Sequence, residues 1–280
     1  MIVLRSDIRP ATKEDLPELI ELWKSCFPED SEEYIRYFYR ENFSRIRVPV
    51  YSLNGKIVSM IHLMDAMFAN GADEYPVQFV YAVGTRPDCR GKGILQSLLL
   101  SVFDSAKENG YGLFLKPSPE LINYYTRIGF AEDSRFRIFT IEAGQDGQQD
   151  FSCAPLSAEE YNRLRNSAFS TRPFVKWPDE HIRWCVDEND FCGGCTLSLK
   201  SVNDTHFLMC CPEGDVLRVI ETDLEPDQLK TAAFAICKMF GTSRLKAYLP
   251  EEAFREGPDV VSSLVFNAPL RQTYANLLLF

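Results

Sequence analysis

The stretch AVGTRPDCRGKGILQSLL, from Ala82 to Leu99, decides the fold of this chain. Its apolar first residues predict a β-strand that stops at Pro87, and a short turn rich in glycine and basic residues follows. A long amphipathic helix then begins without a side chain that caps its first turn. This order predicts an α/β unit with a polar opening at the start of the helix.

The uncapped helix start predicts a binding site for phosphate groups. Consecutive backbone N–H groups from Gly91 to Gln96 have no acceptor within the helix, and a diphosphate would satisfy them at the positive end of the helix dipole. Gly91 and Gly93 keep side chains out of that approach, while Arg90 and Lys92 add positive charge.

Two common phosphate-binding patterns do not fit this loop. The Walker pattern requires Ser or Thr after Gly-Lys, where this chain has Gly93. The dinucleotide pattern requires a glycine at the position of Gln96. An ordinary strand–turn–helix with basic surface residues explains the loop as well, so the loop alone leaves its function open.

The residues around this stretch predict a mixed sheet with flanking helices. The clearest signal is a hairpin at Asn54-Gly55, and the spacing of apolar residues indicates the other elements. Strands are predicted at 8–11, 48–53, 57–64, 77–85, 113–115 and 136–142, and helices at 16–27, 34–43, 91–109 and 120–128.

A polar segment at residues 144–150 predicts a linker, because it is rich in Gly, Gln and Asp. A chain of 280 residues is too long for one small core, so we expect two domains, at 1–145 and 151–280. The second half loosely repeats the order of the first, which suggests a duplication. It lacks a similar glycine loop, and the acidic segment 223–227 would repel a pyrophosphate, so we expect one cofactor site per chain. Residues 187–190 are interpreted as a solvated turn.

The charge balance limits the expected partners. The formal net charge is −10, and nucleic-acid binding needs a basic surface, so we expect no nucleic-acid partner and favour an amine-bearing substrate. No apolar run suits a signal peptide or a membrane span, which predicts a cytoplasmic protein without membrane contact. Cys192 and Cys195 with the adjacent pair Cys210-Cys211 raise the question of zinc. Adjacent cysteines on a strand point to opposite faces, so we expect no metal.

Two motifs resemble those of the GNAT superfamily of N-acetyltransferases. Arg90 and Gly93 match motif A, an Arg/Gln-x-x-Gly-x-Gly/Ala loop that holds the pyrophosphate of acetyl-CoA. The segment LINYYTRIGF, with Tyr125 four residues before Gly129-Phe130, resembles motif B. The opening IRPATKEDLPELIELW also resembles the start of this superfamily. The resemblance covers residues 8–142 and implies a GNAT fold of the α/β (α+β) class, a mixed central sheet flanked by helices.

Leu95 departs from the small residue that ends motif A, and this departure resembles the Eis-type (enhanced intracellular survival) acetyltransferases. Those enzymes follow the catalytic domain with a second, degenerate acetyltransferase domain and then with a sterol-carrier-like domain. The resemblance implies a degenerate GNAT-like domain at 151–280 that lines the acceptor cleft. With 280 residues, we expect the third domain to be missing.

The resemblance also implies roles for individual residues. The pantetheine arm of acetyl-CoA would pair with the strand at Val83, Gly84 and Thr85, where a backbone N–H would stabilise the oxyanion. Tyr125 would donate a proton to the departing sulfur, the alternative being a packed helix residue beside Tyr124. The pyrophosphate would rest on the loop and first helical turn formed by Arg90, Gly91, Lys92, Gly93, Ile94, Leu95 and Gln96.

The general base has several candidates. Some members of the superfamily place a glutamate early on the cofactor strand, where this chain has Val77. His62 and Asp65, on the preceding strand, could act through water. Eis-type enzymes use the carboxylate of a C-terminal phenylalanine, which corresponds to Phe280 here. The sequence leaves these alternatives open.

The sequence thus predicts an acyl-CoA-dependent N-acetyltransferase that moves an acetyl group from acetyl-CoA to a primary amine of a small molecule or peptide by direct attack. The alternatives are a non-catalytic acyl-CoA sensor or binding module and a CoA-independent aminoacyl transferase. The acceptor amine, the use of other acyl-CoAs and the oligomeric state are not given by the sequence.

Overall fold

The structure of the protein is a computed structural model that describes residues 6–143, 152–200, 204–250, 259–269 and 271–276. The predicted linker at 144–150 and the predicted base at Phe280 lie outside the described residues. Among the described residues, no helix is long and apolar enough to span a membrane.

The first half of the chain arranges strands and helices around the glycine loop. The hairpin predicted at Asn54-Gly55 is confirmed, and both residues have the positive φ that a tight two-residue turn requires. The elements are β1 (Ser6–Pro10), α1 (Leu16–Cys26), α2 (Glu32–Asn42), β2 (Pro49–Leu53), β3 (Lys56–Asn70), β4 (Asp73–Thr85), α3 (Ile94–Asn109), β5 (Gly112–Leu115), α4 (Ile122–Arg127) and β6 (Ala131–Glu142).

The second half repeats much of this order. Its elements are β7 (Ser152–Pro155), α5 (Ala158–Phe169), β8 (Phe174–Lys176), α6 (Asp179–Phe191), β9 (Cys195–Lys200), β10 (Thr205–Glu213), β11 (Val216–Thr222), α7 (Pro226–Phe240), β12 (Arg244–Pro250) and β13 (Asp259–Phe266). The interpretation of residues 187–190 as a solvated turn is wrong, because they lie in α6. Ile182, Val186 and Asn189 recur at helical spacing and are buried, so packing of this face stabilises the helix.

The strands form one sheet, and its mixture of parallel and antiparallel pairs is as predicted. The order is β1-β2-β3-β4-β5-β13-β6-β12-β11-β10-β9-β7, and β8 pairs with β3. The pairs β4/β5 and β11/β12 are parallel, and each is joined by a crossover helix, α3 or α7. The other pairs in this order are antiparallel.

Two strand–helix–strand units, β4-α3-β5 and β11-α7-β12, exchange the strands that follow them. β6 follows the first unit in the chain but pairs with β12 of the second. β13 follows the second unit but pairs with β5 and β6. The sheet therefore continues through both halves, and the division into two domains stays a prediction.

Buried apolar side chains cover both faces of the strand that leads into the glycine loop. Phe79 belongs to the cluster that contains α1 and α2, whereas Val80 belongs to the cluster that contains α3 and α4. Neighbouring residues of a strand point to opposite faces, so the two helix pairs lie on opposite faces of β4. A third cluster packs α7 against the sheet of the second half.

Candidate active site

The glycine loop leaves the start of α3 open. Gly93 precedes the helix in the left-handed conformation (φ 76°), and no side chain caps the first turn. Gly91 also has a positive φ, 73°, and a Cβ on either glycine would have no heavy atom of the described residues within 4 Å. The loop therefore has room for a ligand group against the unsatisfied N–H groups of the first turn.

The two basic residues of the loop are exposed and also brace it. Arg90 Nε donates to the carbonyl oxygen of Thr85 at 3.0 Å, which ties the loop to the end of β4. Lys92 Nζ donates to the carbonyl oxygen of Asp88 at 2.9 Å. Both cationic groups therefore lie close to the start of α3, where they add positive potential.

Beside this loop, β4 and β5 separate. Their parallel pairing covers only Val77 to Phe79 on β4, although β4 continues to Thr85. Past Phe79, the edge of β4 that turns towards β5 has no strand partner among the described residues. Unpaired strand backbone of this kind binds an extended ligand by hydrogen bonds, as it would bind another strand.

A β-bulge interrupts β4 next to this gap. Met60 and His62 of β3 oppose Gly84 and Tyr81 of β4, so one residue of β3 faces two of β4. Ala82 has a φ of 42°, which is strained for a residue with a side chain. The bulge turns backbone groups out of the ladder, where an N–H can stabilise a developing oxyanion.

His62 supports the bulge from inside the protein. Its Nδ1 lies 3.2 Å from the carbonyl oxygen of Ala82, and its Nε2 lies 2.9 Å from the hydroxyl of Tyr39. A carbonyl only accepts, so Nδ1 carries the proton and Nε2 accepts from Tyr39. Burial lowers the pKa of His62 to about 4, so the ring is neutral at pH 7. With both nitrogens bonded and no exposed surface, His62 positions the backbone of Ala82.

The predicted pantetheine-binding residues form the end of the bulged strand. The hydroxyl of Ser59 donates to the carbonyl oxygen of Gly84 at 2.9 Å, which fixes one side of this segment. A Cβ at Gly84 would lie 2.9 Å from Cys26 Sγ, so α1 can pack here only against glycine. Val83 and Thr85 flank this position.

Tyr125 packs in the same apolar cluster as the loop helix. It is 6% exposed and clusters with Val80 and Leu98, while Val83 and Leu95 pack against that cluster. Burial raises the pKa of Tyr125 well above its ordinary value, so the hydroxyl keeps its proton at neutral pH. The structure thus brings together three of the predicted parts, namely the start of α3, the end of β4 and Tyr125.

The other predicted base candidates have different surroundings. Asp65 is exposed and accepts a hydrogen bond from Gln78 Nε2. Phe280 lies outside the described residues, so its role stays a prediction.

The structure contains a buried polar contact that the sequence does not reveal. The hydroxyl of Tyr34, on α2, donates to Glu188 Oε1, on α6, at 2.7 Å. Burial, with Tyr81 and Glu188 close by, raises the pKa of Tyr34 well above its ordinary value. Glu188 is 2% exposed, and its burial raises its pKa to about 7. Apolar spacing could have indicated α6, but no local signal links residues 34 and 188.

Comparisons with known proteins agree with this arrangement. Residues 7–132 match the family model of the Acetyltransferase (GNAT) domain. A probable N-acyltransferase from Enterococcus faecalis shares 11% identity, with 93% of this chain and 72% of that chain covered and a TM-score of 0.76. A GCN5-related N-acetyltransferase from Anabaena variabilis shares 13% identity, with coverage of 93% and 72% and a TM-score of 0.74.

Eis1 from Mycobacterium abscessus is also similar in structure. It shares 12% identity, with 93% of this chain and 73% of that chain covered and a TM-score of 0.65. At these identities the likeness is one of fold. The resemblance drawn from the two motifs is confirmed: residues 7–132 match a GNAT acetyltransferase domain, and the fold of the chain is similar to that of Eis1.

Proposed function

We propose that the protein transfers an acetyl group from acetyl-CoA to a primary amine of a small molecule or a peptide. The observation that carries this proposal is the uncapped, glycine-lined start of α3 beside the bulged and unpaired end of β4. A diphosphate fits the first feature, and an extended pantetheine arm fits the second. Val83, Gly84 and Thr85 would hold the arm, and residues 90–96 the pyrophosphate.

The reaction needs no covalent enzyme intermediate. The amine nitrogen attacks the thioester carbonyl carbon, the carbon–sulfur bond breaks, and the thiolate takes a proton from Tyr125. A backbone N–H at the bulge stabilises the negative oxygen of the tetrahedral intermediate. The nitrogen must also lose a proton, and the carboxylate of Phe280 stays a proposed acceptor for it.

Thiol release in the presence of acetyl-CoA and a panel of amines tests this proposal. The panel should contain polyamines, aminoglycosides and peptides with free N-termini, since the acceptor is unidentified. Saturable release that depends on the amine supports acetyl transfer. Binding of acetyl-CoA without release for any amine would instead favour a non-catalytic acyl-CoA binding module.

The role of Tyr125 can be separated from its packing. Tyr125→Phe keeps the ring but removes the proton donor, so we expect kcat to fall on the order of 10²-fold with little change in the Kd of acetyl-CoA. Tyr124→Phe is the matched control, because Tyr124 is the neighbouring, half-buried tyrosine of the same helix. Equal losses in both variants would show that Tyr125 has no special role.

A further inference from the structure

Four cysteines outside the candidate active site lie together where α6 meets β9 and β10. Cys192 follows the last residue of α6, Cys195 begins β9, and the neighbours Cys210 and Cys211 lie in β10. Cys211 Sγ lies 3.5 Å from the carbonyl oxygen of Cys192, whereas Cys210 Sγ lies 3.9 Å from Cys195 Sγ. Adjacent residues of a strand point to opposite faces, so Cys210 and Cys211 have different neighbours. The sulfurs of Cys195 and Cys210 are in contact.

The strand pairing holds Cys195 and Cys210 at a separation that suits a disulfide. The two residues are direct partners in the antiparallel pair β9/β10. The Cα atoms of such partners are typically about 4.5–5.5 Å apart, and disulfides join Cα atoms that are about 4.4–6.8 Å apart. The two sulfurs can therefore reach bonding distance by side-chain rotation and a small adjustment of the backbone.

The turn before Cys195 is fixed between α6 and β10. The Gly194 N–H donates to the carbonyl oxygen of Asn189 at 2.8 Å, and Asn189 Nδ2 donates to the carbonyl oxygen of Cys210 at 3.3 Å. A Cβ at Gly194 would lie 2.5 Å from that carbonyl oxygen of Cys210, so the turn packs against β10 with no room for a side chain. Cys195 is thus held beside Cys210 before any reaction, and little conformational freedom is lost when the sulfurs join.

Cys195 and Cys210 differ in exposure and in acidity. Cys195 is partly exposed, whereas Cys210 is buried in the cluster that packs α7 against the sheet. The hydrogen bond from Cys210 lowers the pKa of Cys195, and this hydrogen bond together with burial raises the pKa of Cys210. Burial also raises the pKa of Cys192 and of Cys211. Because the thiolate is the reactive form of cysteine, Cys195 is the first of the four to react.

We infer that Cys195 and Cys210 form a reversible disulfide by exchange with a small-molecule disulfide. The Cys195 thiolate attacks one sulfur of the small molecule, and the other half leaves as a thiolate. Cys210 gives its proton to that thiolate, and its sulfur then attacks Cys195 Sγ and displaces the second half. The two protein thiols are oxidised, and the small disulfide is reduced to two thiols. Neither step involves acetyl-CoA, so this site is separate from the start of α3.

Reaction of the reduced protein with glutathione disulfide tests the inference. Iodoacetamide then blocks the remaining thiols in denaturant, and peptides are mapped by mass spectrometry without reduction. We expect Cys195 and Cys210 to lose their free thiols and to appear in two peptides that are joined by a disulfide and carry no glutathione. Dithiothreitol should restore both thiols. A Cys195 that stays a free thiol, or that bridges to another cysteine, overturns the inference.

Two variants separate the roles of the paired cysteines. Cys210→Ala leaves Cys195 without its partner, so glutathione should stay attached to Cys195 as a mixed disulfide. Alanine is used because a buried serine hydroxyl would lack a hydrogen-bond partner in this apolar cluster. Cys195→Ser should leave Cys210 a free thiol, and this variant at a partly exposed position decides the outcome if Cys210→Ala does not fold.

Cys211→Ser is the matched control. Cys211 is the neighbouring cysteine on the opposite face, and serine can still donate to the carbonyl oxygen of Cys192. The bridge between Cys195 and Cys210 should form in this variant as in the wild type. A bridge that is lost in Cys211→Ser contradicts the inference.

The bridge should also change thermal stability. It joins residues 195 and 210 and so restricts the unfolded chain between them. The oxidised wild type should therefore melt at a higher temperature than the reduced wild type, whereas Cys195→Ser should melt at the same temperature before and after treatment. An oxidised wild type that melts no higher than the reduced one contradicts a fold that holds the two sulfurs ready to join.

Discussion

The two strand–helix–strand units of the sheet have the same frame. The helices α3 and α7 contain 16 and 15 residues, and each ends at a left-handed glycine, Gly110 or Gly241. Each helix also carries glutamine at its third position, Gln96 in α3 and Gln228 in α7. The parallel pairing of each unit stops before its leading strand ends.

The units differ at the start of the helix. In α7, Glu225 and Gln228 form a capping box, with the Glu225 N–H donating to Gln228 Oε1 at 2.8 Å. The first turn of α7 also contains the acidic Asp227. α3 has no side-chain cap and no acidic residue in its first turn. The capping box bonds backbone N–H groups at the start of α7 within the protein. At the start of α3 the corresponding N–H groups stay available to an anion.

The units also differ beside the leading strand. Near the end of β11, Asn276 Nδ2 donates to the carbonyl oxygen of Ile220 at 2.7 Å. The next residue, Glu221, pairs with Arg165 at 2.9 Å, and neither side chain is exposed. The second unit therefore fills with its own residues the region that corresponds to the gap beside β4. The same frame is suited to bind a ligand only where the protein leaves backbone groups unsatisfied.

The largest expected effect is on the free energy of unfolding, through the buried ion pair beside the second unit, β11-α7-β12. Arg165→Met removes the cation that faces buried Glu221, and breaking a buried pair in this way costs about 3–5 kcal/mol. Urea unfolding should show this loss, while the Kd of acetyl-CoA for the folded protein stays the same. Lys230→Met is the control, since the Lys230–Asp227 pair is exposed and should change stability by less than about 0.5 kcal/mol. A loss below about 1 kcal/mol for Arg165→Met would contradict this view of the second unit.

The next largest effect is on ligand binding at the first unit, β4-α3-β5. Gly91→Asp puts a negative charge into the loop, so we expect the Kd of acetyl-CoA to rise about 100-fold, equivalent to about 2.7 kcal/mol. Aspartate tolerates a positive φ better than most residues, so the free energy of unfolding should change little. Calorimetric titration measures the binding, and Gly214→Asp, at φ 61° in the turn between β10 and β11, is the control. Equal affinities in the two variants would rule out the loop as the pyrophosphate site.

The smallest effect compares the two glutamines. Gln228→Ala removes an acceptor from the capping box of α7 and should destabilise the protein by about 1 kcal/mol. Gln96→Ala should leave stability unchanged, because the Gln96 side chain makes no hydrogen bond within the described part of the chain. Thermal unfolding of both variants measures the difference, and equal melting temperatures would show that α7 does not depend on its cap.

Local features of this protein could be predicted from the sequence, and long-range ones could not. The glycine loop, the end of α3 at Gly110 and the hairpin at Asn54-Gly55 depend on residues close together in the chain, and the structure confirms these elements. The bulge at Ala82 has no such signal, because a register shift between β3 and β4 produces it and no glycine marks it. The contact between Tyr34 and Glu188 likewise depends on how the second half packs against α2.

The exchange of strands between the two units has a consequence for biosynthesis. On the ribosome, β5 and β6 are made long before β13, the strand that pairs with both of them. Until residues 259–266 emerge, the nascent chain exposes strand edges that can pair with other chains. Pairings so distant in sequence also slow folding, because a long loop must close before they form. The glycine loop is therefore encoded early, but the sheet that carries it is completed only late in synthesis.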